Sequence, residues 1–152
     1  MLKKLLNWKI IIVLLVIITI VNITPDAYAQ DPIKLVIDGR KIETDPEIYI
    51  KNDRTLVPLR VIAEELDAVV TWDNSTRTVH ISKEDMHVAL SIDSRLVEYT
   101  IDNETIYNLI DVAPTIKEDR TFVPIRLVSN ALGVGIRWDN DKRSVVINSS
   151  EE

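Results

Sequence analysis

The side chains of this chain best suited to binding chemistry are arginines and tryptophans, and they come in matched sets. Arg54 and Arg60 bracket Thr55-Leu-Val-Pro-Leu59, and Arg120 and Arg126 bracket Thr121-Phe-Val-Pro-Ile125. A guanidinium offers a planar fork of donors that suits a carboxylate. Arg60 and Arg126 fall where a helix should begin, beside the positive end of its dipole, so each calls for a compensating anion. A ligand carboxylate would serve, but we expect the chain's own Asp45, Asp53, Asp111 or Asp119 to pair with them and tie loop to helix. The same expectation covers Arg54 and Arg120. Trp72 and Trp138 could stack on sugar rings. Each stands just before a turn, at the same place in its segment, and aromatic residues so placed usually pack. We expect both in the core.

Other chemistry is thinly supplied. The chain has two histidines, His80 and His87, and no cysteine. Their spacing matches no metal pattern. Asp139-Asn140-Asp141 resembles the start of a calcium loop but lacks the sixth-position glycine and the closing glutamate, so it reads as a hairpin turn. Neither a Gly-x-Ser-x-Gly elbow nor a His-Glu-x-x-His helix occurs. We therefore expect no catalytic, cofactor-binding or metal-binding residues and no enzyme. Binding residues are left unassigned.

The matched sets belong to an internal repeat. At an offset of 66, positions 54–81 show 12 identities with 120–147 over 28 positions, including Trp72-Asp73-Asn74 with Trp138-Asp139-Asn140. Upstream the likeness is looser: Ile37-Asp38-Gly39 parallels Ile101-Asp102-Asn103, and Asp45 parallels Asp111. The copies run over about 33–83 and 97–148.

Periodicity supplies the elements that must hold these residues. Lys34–Ile37 and Lys41–Glu43 read as strands joined by a tight turn, because Asp and Gly tolerate positive φ. Thr55–Val57 is β-prone, and Pro58 suits the first position of a helix, where its missing N–H costs nothing. Leu59, Ile62, Ala63 and Leu66 then fall on one helical face, as do Ile125, Val128, Ser129 and Leu132. Gly133 stops the second helix, and Asp67 is a poorer stop for the first. Hairpins follow each helix, at Val69–Trp72 with Thr78–Ile81 and at Val134–Trp138 with Ser144–Ile147. Alternation marks further strands around Val88–Ile92 and Val97–Ile101. The expected class is α+β: two strand–helix–hairpin units sharing one core, with an antiparallel sheet packed on two short helices.

The amino terminus reads as a cleavable signal peptide, residues 1–29. Lys3, Lys4 and Lys9 precede an apolar run from Ile10 to Val21, and Ala27-Tyr28-Ala29 supplies small residues for cleavage before Gln30. The run is short of the roughly 20 apolar residues a membrane span needs, which disfavours a retained anchor. Cleavage would leave 18 − 3 = 15 basic and 24 − 1 = 23 acidic residues, a net charge of −8. Such a surface repels phosphate backbones, so nucleic acid is not an expected partner. Without cysteine no disulfide is possible, and with no lipobox cysteine at the cleavage point no lipid anchor is expected. Acceptor patterns at Asn74, Asn103 and Asn148 read as chance in a chain of bacterial character. Ser149–Glu152 reads as a solvated tail. Residues 30–152 are expected to form one domain.

The run of motifs — Asp38-Gly39, Arg54-Thr-Leu-Val-Pro-Leu-Arg60, Ala63-Glu-Glu-Leu66 and Val70-Thr-Trp-Asp73, then the second copy — resembles the copper amine oxidase N-terminal-like domain. This is the stalk domain of secreted and cell-wall proteins of Gram-positive bacteria, and the resemblance covers residues 33–148. Asp67 stands in place of the customary glycine, and Asn52-Asp53 in place of Asn-Gly. In the full-length oxidases copper and the quinone belong to a separate catalytic domain. That domain uses three histidines and an Asn-Tyr-Asp/Glu sequence, which this chain lacks. The resemblance therefore implies a secreted or wall-associated, non-catalytic module with a structural or protein-interaction role at the envelope. A cell-wall carbohydrate or peptidoglycan binder is the alternative, and a copper-dependent oxidase fragment the least favoured.

Overall fold

Alternating apolar and polar residues between two-residue turns make this chain mostly strand. A computed structural model describes residues 31–149. The expected signal peptide, its cleavage point before Gln30 and most of the expected tail lie outside the described residues. Among the described residues no helix is long and apolar enough to cross a membrane.

Four tight hairpins set the pattern. Strands β1 (Lys34–Ile37) and β2 (Arg40–Ile42) join through Asp38 and Gly39, and β3 (Tyr49–Lys51) and β4 (Arg54–Pro58) through Asn52 and Asp53. Strands β8 (Leu96–Ile101) and β9 (Glu104–Leu109) join through Asp102 and Asn103. Strands β10 (Thr115–Lys117) and β11 (Arg120–Pro124) join through Glu118 and Asp119. Both residues of every one of these turns have positive φ, the geometry that matches the twist of the paired strands.

Helices follow β4 and β11. Helix α1 (Leu59–Glu65) and helix α2 (Ile125–Leu132) begin one residue later than the sequence suggests, because Pro58 and Pro124 finish the preceding strand in extended backbone and serve as N-caps. The expected stripe of α1 is buried throughout, at Leu59, Ile62, Ala63 and Leu66. In α2, Ile125, Val128 and Leu132 are buried, while Ser129 is half-buried and donates its hydroxyl to the Val134 carbonyl. After α1 come β5 (Val69–Asp73), β6 (Thr78–Lys83) and β7 (Met86–Ser91); after α2 come β12 (Gly135–Asp139) and β13 (Ser144–Asn148).

The α+β class holds, with mostly antiparallel pairing, but among the described residues the strands form three sheets rather than one. Their orders are β12-β13-β1-β2, β10-β11-β4-β3 and β5-β6-β7-β8-β9. Among the described residues one pair is parallel: β1 runs alongside β13, with Leu35 opposite Val145. Those strands lie at opposite ends of the described chain, so no tight turn imposes the antiparallel sense. In the second sheet β4 and β11 pair antiparallel, with Val57 opposite Val123 and Leu56 opposite Pro124. One buried cluster joins α1 (Ile62, Ala63) and α2 (Val128, Ala131) to β1, β6, β7 and β13. A smaller one holds Leu56, Val112 and Phe122, with the Tyr49 ring tilted 55° against Phe122 at 5.0 Å.

Candidate functional site

The β4–β11 register decides which polar side chains meet. Its paired residue numbers sum to 180 (57 with 123, 56 with 124), so the two strands lead Arg54 toward Arg126 and Arg120 toward Arg60. Each arginine pair lines a surface cavity. The smaller, about 210 Å³, has Arg54 and Thr55 on one wall, Pro124 and Arg126 on the next, and Ile136 to Trp138 of β12 on the third. The larger, about 570 Å³, has Arg120 and Thr121, then Pro58 and Arg60, then Val70 to Trp72 of β5. Every residue lining the smaller cavity has its counterpart 66 positions away in the larger. In both, one half of the chain supplies the entry to the Arg-Thr strand, and the other half supplies the helix entry and the tryptophan strand.

The tryptophans correct the sequence expectation. Trp72 is 39% and Trp138 41% exposed, so neither lies in the core. Both sit on strands, β5 and β12, that are outermost in their sheets among the described residues. Equivalence of position in the repeat reflects a shared place beside a cavity, not shared burial.

The expected arginine–aspartate pairing forms once. Asp111 accepts from Nε of Arg54 at 2.9 Å and also from its terminal nitrogen, while the other terminal nitrogen donates to the Asp53 carbonyl at 3.1 Å. Hydrogen bonding and charge from Arg54, then the charges of Arg95 and Arg126, hold the Asp111 carboxyl below the usual carboxylate range. Among the described residues no ion pair engages Arg60, Arg120 or Arg126. The two cavities differ in charge. The smaller is lined by Arg54, Arg126 and Arg137 against Asp53; the larger by Arg60 and Arg120 against Asp45, Glu64 and Asp119. Arg137 went unnoticed in the sequence because its counterpart is Thr71, so the repeat gave no signal there.

The remaining candidates fall outside the cavities. His80 is exposed on β6, and His87 on β7 shares a hydrogen bond with the Ser82 hydroxyl, Nδ1 to Oγ 2.9 Å. Among the described residues no group of three or more His, Cys, Asp or Glu is placed to hold a metal ion. Asp139 caps the β12–β13 turn by accepting the Lys142 N–H at 3.0 Å, and Asp73 caps the β5–β6 turn by accepting the Ser75 N–H at 2.8 Å. Both are turn-formers, as their residue types suggest.

The chain belongs to the copper amine oxidase N-terminal domain family, whose pattern it matches over residues 36–147. That domain is itself non-catalytic. A relative named "Protease inhibitor" from Brevibacillus choshinensis is 26% identical over 126 residues, covering 80% of this chain. The chain spans 37% of that relative's length.

Proposed function

We propose that this chain is an exported, non-catalytic stalk-like module of Gram-positive type, making protein contacts at the cell envelope through its two cavities. The observation that carries this reading is the paired construction: two open cavities lined from equivalent positions 66 residues apart, each assembled from both halves. In this reading the halves are diverged copies of one strand–helix–hairpin unit around a common core. A purely structural spacer has no need to leave two tryptophans and three arginines without ion pairs beside open cavities. The relative named for inhibiting a protease supports a protein partner. The half-exposed tryptophans support a second reading, binding of cell-wall carbohydrate.

Expression in a Gram-positive host tests the proposal. The mature protein should begin at Gln30 and fractionate with the envelope, and the double change Trp72→Ala/Trp138→Ala should release it to the medium while it stays folded. Sedimentation with protein-free cell walls would favour the carbohydrate reading over the protein one. Turnover of an amine, peptide or glycan that one polar substitution abolishes would overturn both.

A further inference from the structure

Among the described residues β2, β3, β5, β9, β10 and β12 are outermost in their sheets. An open margin pairs with other chains unless shortness or charge blunts it. Strands β2, β3 and β10 have three residues each and carry Arg40 and Lys41, Lys51, and Lys117; β12 carries Arg137. Strand β9 has six residues, is exposed along its whole length and has neither lysine nor arginine. Its one charge, Glu104, stands beside the turn. Counted from the matching turns Asp38-Gly39 and Asp102-Asn103, Lys41 corresponds to Thr105 and Glu43 to Tyr107. Charge guards the margin after the first turn and is missing after the second.

Hydrogen-bond parity decides which groups of β9 stand free. Residues paired across β8 and β9 sum to 205 (96 with 109), and in that register the Ile110 N–H bonds the Arg95 carbonyl at 2.9 Å. Inward bonding alternates along an antiparallel strand. Glu104, Ile106 and Asn108 therefore bond to β8, while Thr105, Tyr107 and Leu109 turn their N–H and C=O groups to the open margin. These last three share one face of the sheet with Leu96, because successive side chains alternate. Leu109 is 73%, Tyr107 59% and Leu96 50% exposed there, and Ile106 is 52% exposed on the other face.

We infer that β9 pairs antiparallel with β9 of a second copy of this chain, about a two-fold axis at Tyr107. Tyr107 then lies opposite the partner's Tyr107, Thr105 opposite the partner's Leu109, and the free N–H and C=O groups of all three bond across the axis. Aromatic and apolar cross-strand pairs add to this. The two Glu104 carboxylates end roughly 20 Å apart along the strands. The sheet itself selects this partner over its other margin. Each neighbouring pair from β5 to β9 is antiparallel, so β5 and β9 run the same way. With both sheets facing alike, β9 on the partner's β5 is a parallel pair that leaves open ends, whereas β9 on β9 is antiparallel and closed. The exposed side chains cover on the order of 1,000 Å² over two copies, the range of weak, reversible contacts. No residue of β9 lines either cavity, so the inference stands apart from the proposed function.

Sedimentation velocity of the protein purified from the Gram-positive host, loaded from about 1 µM to 1 mM, tests the inference. A monomer–dimer equilibrium with Kd of about 1–100 µM is expected. It should tighten several-fold as salt rises from about 0.05 to 0.5 M, because two acidic chains repel. Tyr107→Lys and Tyr107→Glu each set like charges opposite one another and should weaken the dimer at least about tenfold, and an equal mixture of the two should restore it. Tyr107 is exposed, so both variants should melt within a few degrees of the parent. The chain has no cysteine, so Tyr107→Cys should cross-link to a dimer on oxidation, whereas Thr105→Cys should not. Oligomers growing past the dimer, no effect of either charge, no rescue by mixing, or equal cross-linking from both cysteines would overturn the inference. So would a monomer up to about 1 mM. Hydrogen exchange at the Tyr107 N–H would then tell whether residues 1–30 cover the margin (slow) or leave it open to a different protein (fast). Loss of the dimer leaves envelope retention through the tryptophan pair untouched, so either reading can fail alone.

Discussion

Arg54 and Asp111 are 57 residues apart in the chain, yet Nε of Arg54 lies 2.9 Å from Oδ2 of Asp111. The contact fastens the β3–β4 turn to the segment between β9 and β10, and it neutralises one of the arginines at the smaller cavity. Its counterpart is missing: Asp45 and Arg120 both line the larger cavity, but no ion pair joins them among the described residues. The pair is thus a feature of one cavity and not of the repeat. Without the Asp111 carboxylate the fastening is lost, so Asp111→Asn should melt below the parent at neutral pH, with the gap closing in acid as the parent's lowered carboxyl takes up its proton.

The β5–β6 turn predicts a pH dependence. Hydrogen bonds from the Ser75 and Thr76 hydroxyls and the Ser75 N–H lower the Asp73 carboxyl to about 2. A carboxyl whose folded value lies below its unfolded value of about 3.9 stabilises the fold above that value and loses its contribution as pH falls through the folded one. The melting temperature of Asp73→Asn should lie below that of the parent at neutral pH. The gap should close between about pH 4 and pH 2.

Stability separates cavity residues from core residues. Phe122 is fully buried against Leu56, Val112 and Tyr49, so Phe122→Ala should cost about 3–5 kcal/mol in urea unfolding. Trp72→Ala and Trp138→Ala remove rings that are already part-wetted, and each should cost about 1–2 kcal/mol. Costs as large as that of Phe122→Ala would return the indoles to a scaffolding role.

Local patterns in the sequence carried most of the fold. The apolar stripe of α1, the Thr55–Val57 strand, and the Asp38-Gly39 and Asp102-Asn103 turns depend on near neighbours and form where expected, whereas Pro58 closes its strand instead of opening the helix. What lies outside local reach is which strand ends up at an edge. Val70-Thr-Trp72 has the same alternation whether its strand is central or outermost, so the exposure of Trp72 left no trace in its own segment. The β1–β13 parallel pair is equally invisible, because it joins residues more than a hundred positions apart. The arginines of the site were legible from the repeat. Arg137 was not, since it is where the copies differ.

The two helix ends make the last comparison, because they hold the same backbone with different residues. Asp67 follows α1 at φ 57°, and Gly133 follows α2 at φ 63°. Both are left-handed, which costs a side-chain-bearing residue roughly 1–2 kcal/mol, less for Asp, and glycine almost nothing. A Cβ built on Gly133 would meet no heavy atom within 4 Å, so Gly133→Ala should lose about 1 kcal/mol from backbone strain alone. By the same reasoning Asp67→Gly relieves that strain, although glycine's greater freedom in the unfolded chain offsets part of the gain. The expected outcome is a net stabilisation of up to about 1 kcal/mol, read as a higher urea midpoint at unchanged slope. The Asp67 N–H bonds to the Glu64 carbonyl at 3.3 Å through the backbone, which the glycine keeps. A lower midpoint for Asp67→Gly would mean that the aspartate carboxylate itself holds the end of α1, and the strain argument would fail there.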